Sequence, residues 1–309
     1  MISCPRLFPV ALAVLCLTGS AQAVLYSETF NDGLAASRWV TNTTGTTTSS
    51  DFAFDYSTIG IAAAPGGTGT TGLKLDASSS AAGILPGIIA LPVGGNFSGD
   101  YRLTFSMYGA FSTGTTTEFA YYGINHSSTS ITSPTAGNTT VAGTGLSNNG
   151  FDFAVDADSG SSKDIRAYAN GAEFQGTASG GGYTGAAGSG TALGMESNQE
   201  PYTNIAANGV FGNAWRTIQI DQVGTLLSWS MDGQLLAERT VVPGSGNILL
   251  GYMDVFSGQP SAADTFVIYD NVMVDAIPEP SAMALFGLAG LPFLRRRRTQ
   301  AQRTELRAN

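Results

Sequence analysis

The segment from Arg216 to Leu236 limits the fold more than any other part of the chain. Arg216-Thr217-Ile218-Gln219-Ile220-Asp221 alternates polar and apolar residues, which places Ile218 and Ile220 on one face of a strand. Leu226-Leu227-Ser228-Trp229-Ser230-Met231 and Gln234-Leu235-Leu236 follow, joined by Asp232-Gly233. Asp-Gly between two apolar runs predicts a two-residue hairpin, because a type I′ turn requires positive φ at both central positions. Tight hairpins of this kind build antiparallel sheets.

The same pattern recurs along the chain. Residues 248–252 and 265–269 predict two more strands; if the second continues to Val274, then Phe266, Ile268, Val272 and Val274 share a face. Earlier strands are expected at 25–30, 73–76, 101–108, 118–124, 151–156 and 165–169, giving about eleven strands and no convincing helix. Abundant Gly, Ser, Thr and Ala with little Lys, Glu or Leu withdraws support from long helices. The expectation is an all-β, antiparallel β-sandwich of jelly-roll type, because two layers bury so many half-apolar strands. Residues 41–50, 127–149 and 178–191, rich in Gly, Ser and Thr, are expected as solvated connections.

The two ends differ from this body. Arg6, the apolar stretch 7–17 and the small-x-small triplet Ala21-Gln22-Ala23 predict a signal peptide over residues 1–23, cleaved after Ala23. Cys4 and Cys16 both lie within it, so the exported body, residues 24–275, is expected to carry no disulfide and no thiol chemistry. At the other end stand Pro278-Glu279-Pro280, an apolar run over 282–294 and the block Arg295-Arg296-Arg297-Arg298. The prolines hold Glu279 in extended chain, the apolar run enters lipid, and the arginines act as a cytoplasmic stop. Thirteen residues rising 1.5 Å each reach roughly 20 Å, short of the roughly 30 Å hydrocarbon core, which favours a transient anchor over a permanent one.

This order of parts resembles the PEP-CTERM sorting signal of Gram-negative bacteria, recognised by the membrane protease and transpeptidase exosortase. The resemblance covers residues 276–309 and implies that Pro278, Glu279 and Pro280 are the recognition motif. It also implies exosortase as a partner, a transient stay in the inner membrane, and delivery to the cell surface or extracellular matrix.

Without its ends the body holds 21 acidic against seven basic residues, a net charge near −14 against −9 for the whole chain. Such a surface repels nucleic acid and anionic lipid and leaves cations or neutral sugars as small partners. Glu28-Thr29-Phe30-Asn31-Asp32-Gly33 with Trp39, and Ile268-Tyr269-Asp270-Asn271-Val272, look like the first and last strands of concanavalin A-like and related carbohydrate-binding sandwiches. That resemblance implies that the terminal strands pair. It also implies a possible structural calcium at Asp32 and Asp270, although a turn at Asp32 and a strand end at Asp270 explain both residues without a metal. No cofactor is required by either resemblance.

Signals for catalysis are sparse. The single histidine, His126, borders a Ser/Thr-rich stretch and reads as a surface residue, while Asp152, Asp156 and Asp158 lack the Gly and closing Glu of an EF-hand and read as solvated charge. There is no nucleophile elbow, no phosphate loop, and no Glu-x-Asp-x-x-Glu strand of the concanavalin A-like glucanases. Trp39, Tyr121, Tyr122, Tyr183, Tyr202 and Trp229 are candidate platforms for sugar rings, each more simply a core residue. The reading is a non-catalytic, exported sandwich that serves as a structural or exopolysaccharide-associating module. Its competitors are a glycan-active hydrolase or lyase and a permanently anchored periplasmic protein.

Overall fold

Asp232 and Gly233 take φ of 52° and 79°, so the turn between residues 231 and 234 has the two positive φ values that the Asp-Gly pair predicts. The computed structural model describes residues 22–45, 47–77, 85–110, 118–132, 146–147, 149–156, 165–173, 183–184, 212–254 and 265–278. Within these, Ala23–Ile277 belong to one compact unit. In chain order its first strands are β1 (Val24–Glu28), β2 (Trp39–Thr44), β3 (Thr48–Asp55), β4 (Thr71–Ala77), β5 (Gly87–Pro92), β6 (Tyr101–Ala110), β7 (Glu118–His126) and β8 (Phe151–Asp156). There follow β9 (Ile165–Ala169), β10 (Ala172–Glu173), β11 (Tyr183–Thr184), β12 (Trp215–Val223), β13 (Leu226–Met231), β14 (Gln234–Thr240), β15 (Asn247–Asp254) and β16 (Phe266–Ala276). Helical structure among the described residues is limited to one turn, α1 (Ala35–Arg38), and one 3₁₀ turn at Tyr56–Ile59.

The strands form two antiparallel sheets. One has the order β11-β14-β13-β12-β6-β16-β4-β3, with β1 added on β16; the other runs β10-β9-β8-β7-β15-β5-β2. Leu75, Leu103, Phe105, Ile218, Ile220, Trp229 and Tyr269 of the first sheet share one buried cluster with Ile88, Tyr122, Phe153, Leu250 and Tyr252 of the second. The aromatic rings interlock across it: Trp229 lies 4.6 Å from Phe153 and 6.0 Å from Tyr122, and Phe105 lies 5.0 Å from Tyr122, centroid to centroid. The all-β, two-layer antiparallel sandwich is therefore the fold.

The second sheet is also covered on its other face. Ile89, Leu91, Phe119, Tyr121, Leu249 and Met253 form a further buried cluster with Leu146, against which Ile131 packs. Every residue of β5 and β7 is accordingly buried. A strand buried on both faces reads as a continuous apolar run instead of an alternating one, and Gly87-Ile88-Ile89-Ala90-Leu91-Pro92 carries no period-two signal to announce β5.

Three expectations about strands need correction. Residues 41–50 are largely strand: they hold the end of β2 and the start of β3, which pair with β5 and β4. Threonine is β-branched and suits a half-buried edge, so a Thr-rich run there is a pair of outer strands. Likewise, residues 183–184, within the expected connection 178–191, pair with β14. The face assignment of the last strand also changes. On β6 the register passes from Asp270↔Ser106 to Met273↔Thr104, which leaves one extra residue on β16, and Asn271 there has φ 53°. That bulge exchanges the faces. Val267, Tyr269, Val272 and Val274 point into the main core, while Phe266 and Ile268 join Tyr56 and Ala110 in a separate cluster.

Candidate functional site

The two ends of the body meet. β1 pairs antiparallel with the C-terminal half of β16, with Val24 opposite Asp275 and Glu28 opposite Val272. The Ala276 N–H donates to the Ala23 carbonyl at 2.8 Å, and the Ile277 N–H donates to the Asp100 carbonyl at 2.9 Å. Pro278 follows at once and is exposed. The expected pairing of terminal strands is thus present, and the ordered body reaches to within one residue of the Pro-Glu-Pro triplet. Glu279, Pro280, Ala21, the run 282–294 and Arg295 to Arg298 lie outside the described residues. Among the described residues no helix is long and apolar enough to cross a membrane.

The N-terminal motif locks this arrangement. The Glu28 carboxylate, almost fully buried, accepts from the Phe30 N–H at 2.9 Å and from Arg38 Nε and Nη2, both at 2.8 Å. Arg38 Nη1 also donates to Asp32 Oδ2 at 2.9 Å, and the Leu34 N–H donates to Asp32 Oδ1 at 2.9 Å. The Arg38 guanidinium, with that N–H, holds the Asp32 carboxyl below its ordinary range. Planar bidentate pairing of this kind fixes geometry as well as charge. Phe30, at φ 58° and fully buried, packs 5.8 Å from Trp39.

Asp270 sits at the bulge, inside a strand instead of at its end. Its Oδ2 accepts from the Tyr56 hydroxyl at 2.9 Å and its Oδ1 from the Asn271 N–H at 2.7 Å. Burial pushes its carboxyl up to about 6. Asp32 and Asp270 each serve these partners, and among the described residues no group of three or more His, Cys, Asp or Glu side chains converges to hold a metal ion. A calcium between them would draw on backbone carbonyls as well.

His126, Asp152 and Asp156 depart from the sequence expectation. All three are buried, at 2%, 0% and 1% exposure, so neither a surface histidine nor solvated carboxylates are found; Asp158 lies outside the described residues. His126 closes β7, and its Nε2 lies 2.8 Å from Asp152 Oδ1 at ion-pair distance, without hydrogen-bond alignment. Its Nδ1 lies 2.9 Å from Ser147 Oγ. Ser147 Oγ donates to the Asn149 carbonyl at 2.9 Å, so its one proton is used and the imidazole must donate to it. Desolvation holds the Asp152 carboxyl above its usual range, against the opposing pull of His126 and Tyr121.

Glycine makes room for this cluster. A Cβ on Gly123 would overlap Asp152 Oδ1 and the Phe151 carbonyl and stand 2.9 Å from His126 Nε2; one on Gly150, at φ 82°, would stand 2.6 Å from the Ile124 carbonyl. Hydroxyl, imidazole and carboxylate follow one another as in a nucleophilic triad. However, Ser147 is fully buried and gives its proton to Asn149, so the hydroxyl orients the ring and presents no nucleophile to a substrate. Sequence reasoning missed this trio because Ser147 lies in a Ser/Thr-rich connection; Gly123 inside an apolar strand was the available signal.

The candidate sugar platforms fall mostly in the core. Trp39 is 4% exposed, and Tyr121, Tyr122 and Trp229 are fully buried. Tyr202 lies outside the described residues. An open groove of about 410 Å³ is lined by Leu25, Tyr26, Pro92, Val93, Asn96 and Phe97 beside the paired chain ends.

The architecture is that of a β-sandwich whose ends are clasped next to a processing sequence. Residues 276–298 match the model of the PEP-CTERM protein-sorting motif. The chain therefore carries that motif, which implies exosortase-dependent, membrane-associated sorting of an exported protein. No curated protein matches the chain. Among solved structures, it is similar to a protein with galectin-like fold from Bacillus subtilis, at 8% identity over 82% of this chain and 96% of that one, with a TM-score of 0.43. A carbohydrate-binding module from Bacillus subtilis is 12% identical over 77% and 95%, with a TM-score of 0.38. An endo-beta-1,3-glucanase from Pyrococcus furiosus is 10% identical over 84% and 95%, with a TM-score of 0.43. At these scores the similarities assign neither ligand nor chemistry.

Proposed function

We propose that this is a surface or matrix protein of a Gram-negative bacterium. Its signal peptide, residues 1–23, is removed on export, and the segment 282–294 holds it in the inner membrane until exosortase acts at Pro278-Glu279-Pro280. The observation that carries the reading is the sorting motif starting where the last strand stops. The sandwich is read as a non-catalytic body, a reading supported by the burial of Ser147, His126 and Asp152. Exopolysaccharide is the proposed associate, since the body's excess of carboxylates disfavours nucleic acid and anionic lipid.

Mass spectrometry of the surface-localised protein tests the sorting step. Peptides should end near Pro278, and recovery of peptides from Arg303 onward would sink it. Glu279→Ala should leave the precursor in the membrane. A glycan array on the mature protein, with and without calcium, tests the associate. Calcium at Asp32 and Asp270 is a subordinate proposal, supported by their places on the clasped ends. A melting temperature raised by calcium in the wild type but not in Asp270→Asn supports it, and no response to calcium or chelator removes it.

A further inference from the structure

Ten large apolar side chains are exposed among the described residues, and six of them, Val24, Leu25, Val93, Val223, Leu226 and Val242, lie on segments that neighbour the paired chain ends. Backbone contacts trace this rim. Ala276 bonds Ala23, next to Val24, while Leu25 and Val93 line the same groove. Ile277 bonds the carbonyl of Asp100, whose Oδ1 accepts from Gly224 at 2.7 Å in the turn between Val223 and Leu226. Val241, beside Val242, donates to the Thr225 carbonyl at 2.8 Å. Pro278 follows Ile277 directly in the chain. Single exposed apolar residues are ordinary, but this group gathers where the chain departs, and Val93 and Val242 are 64% and 86% exposed.

We propose that this rim is a lipid-facing surface that rests in the headgroup region of a neutral, zwitterionic leaflet while the precursor is held by its tail. The inference rests on the sorting reading above. Ala282 begins the apolar run four residues after Pro278, and four extended residues span at most roughly 14 Å. An anchored tail therefore keeps the rim at the interface, where exposed valines and leucines gain by shallow burial. At the rim the Asp100 carboxylate accepts from the Gly224 N–H, and Asp275 is buried. The acidic body disfavours an anionic surface. Removal of the tail frees the rim together with the protein.

The test uses the full chain in phosphatidylcholine vesicles, with Cys4 and Cys16 changed to serine and single cysteines placed by Val93→Cys, Val242→Cys or Ile59→Cys. Ile59 is exposed and belongs to the 3₁₀ turn whose Tyr56 ring meets Trp215 edge-on at 5.1 Å, at the start of β12 and away from the rim. A polarity-sensitive fluorophore at positions 93 and 242 should be quenched by headgroup-labelled lipid roughly threefold more than at 59, independently of salt. Equal quenching at all three sites, with the tail still resistant to carbonate extraction, overturns the lipid-facing rim and leaves the sorting reading intact. Failure of the vesicles to retain the chain overturns both. Stronger quenching in phosphatidylglycerol than in phosphatidylcholine overturns the choice of a neutral leaflet.

Discussion

The backbone N–H of Ala276 donates to the carbonyl of Ala23 at 2.8 Å, so the last residue of the final strand is bonded to the residue before the first. The Pro278-Glu279-Pro280 triplet begins two residues after that contact. Freeing the chain on its C-terminal side means opening two backbone hydrogen bonds, those of Ala276 and Ile277.

A spacer should therefore speed processing. Two backbone hydrogen bonds are worth about 2 kcal/mol, on the order of thirtyfold in the population of the frayed end. Insertion of Gly-Ser-Gly-Ser between Ile277 and Pro278 should raise the rate of precursor conversion in a pulse-chase experiment towards that limit. An unchanged rate would mean that exosortase engages the clasped end directly.

Arg38→Ala strands a buried carboxylate. Glu28 keeps the Phe30 N–H but loses both guanidinium contacts, and Arg38 is partly solvent-exposed, which moderates the loss. The expected cost is about 1–3 kcal/mol in urea unfolding. Arg38→Lys should recover only part of it, because an ammonium cannot pair in a planar fork.

Gly123→Ala should be among the most damaging single-methyl changes. The new Cβ overlaps Asp152 Oδ1 and the Phe151 carbonyl in a strand with no free face. A loss of about 2–4 kcal/mol is expected from overpacking and disruption of the buried pair, read as the shift in urea midpoint. His126→Ala, which leaves the buried Asp152 carboxyl with Tyr121 but without the imidazole, should cost about 3 kcal/mol.

Asp270 predicts a pH dependence of defined sign. Its folded pKa, about 6, lies above the unfolded value near 3.8, so the folded chain binds the proton more tightly. Its contribution to stability is full below pH 3.8 and is lost as pH rises through about 6. Asp270→Asn keeps an acceptor for the Tyr56 hydroxyl without the ionisation. Its unfolding midpoint should vary less between pH 4 and 6 than that of the wild type; identical profiles would assign the proton elsewhere.

Legibility in the sequence followed burial. Strands with one wet face, such as 216–221 with Ile218 and Ile220 inward, announced themselves by alternation, and Asp232-Gly233 fixed its turn because few residues tolerate that backbone. β5 and the Thr-rich β2 and β3 did not, since one is apolar on both faces and the others are polar on the edge. The bulge at Asn271 left no mark that separates it from a regular strand, and it reversed the faces of Phe266 and Ile268. Of the candidate residues, Pro278 lies where the chain leaves the body. The His126, Ser147 and Asp152 trio was hidden because a buried polar cluster depends on contacts between distant segments.

The pairing of Val24 with Asp275 brings the start and finish of the body to the same spot. A short peptide from Ile277 back to Val24 would close the chain into a ring without crossing the sandwich. New ends opened at a distant hairpin, such as Asp232-Gly233, would then give a permuted body with its natural clasp made continuous. Such a permutant would separate folding of the sandwich from the segments that flank it at either end.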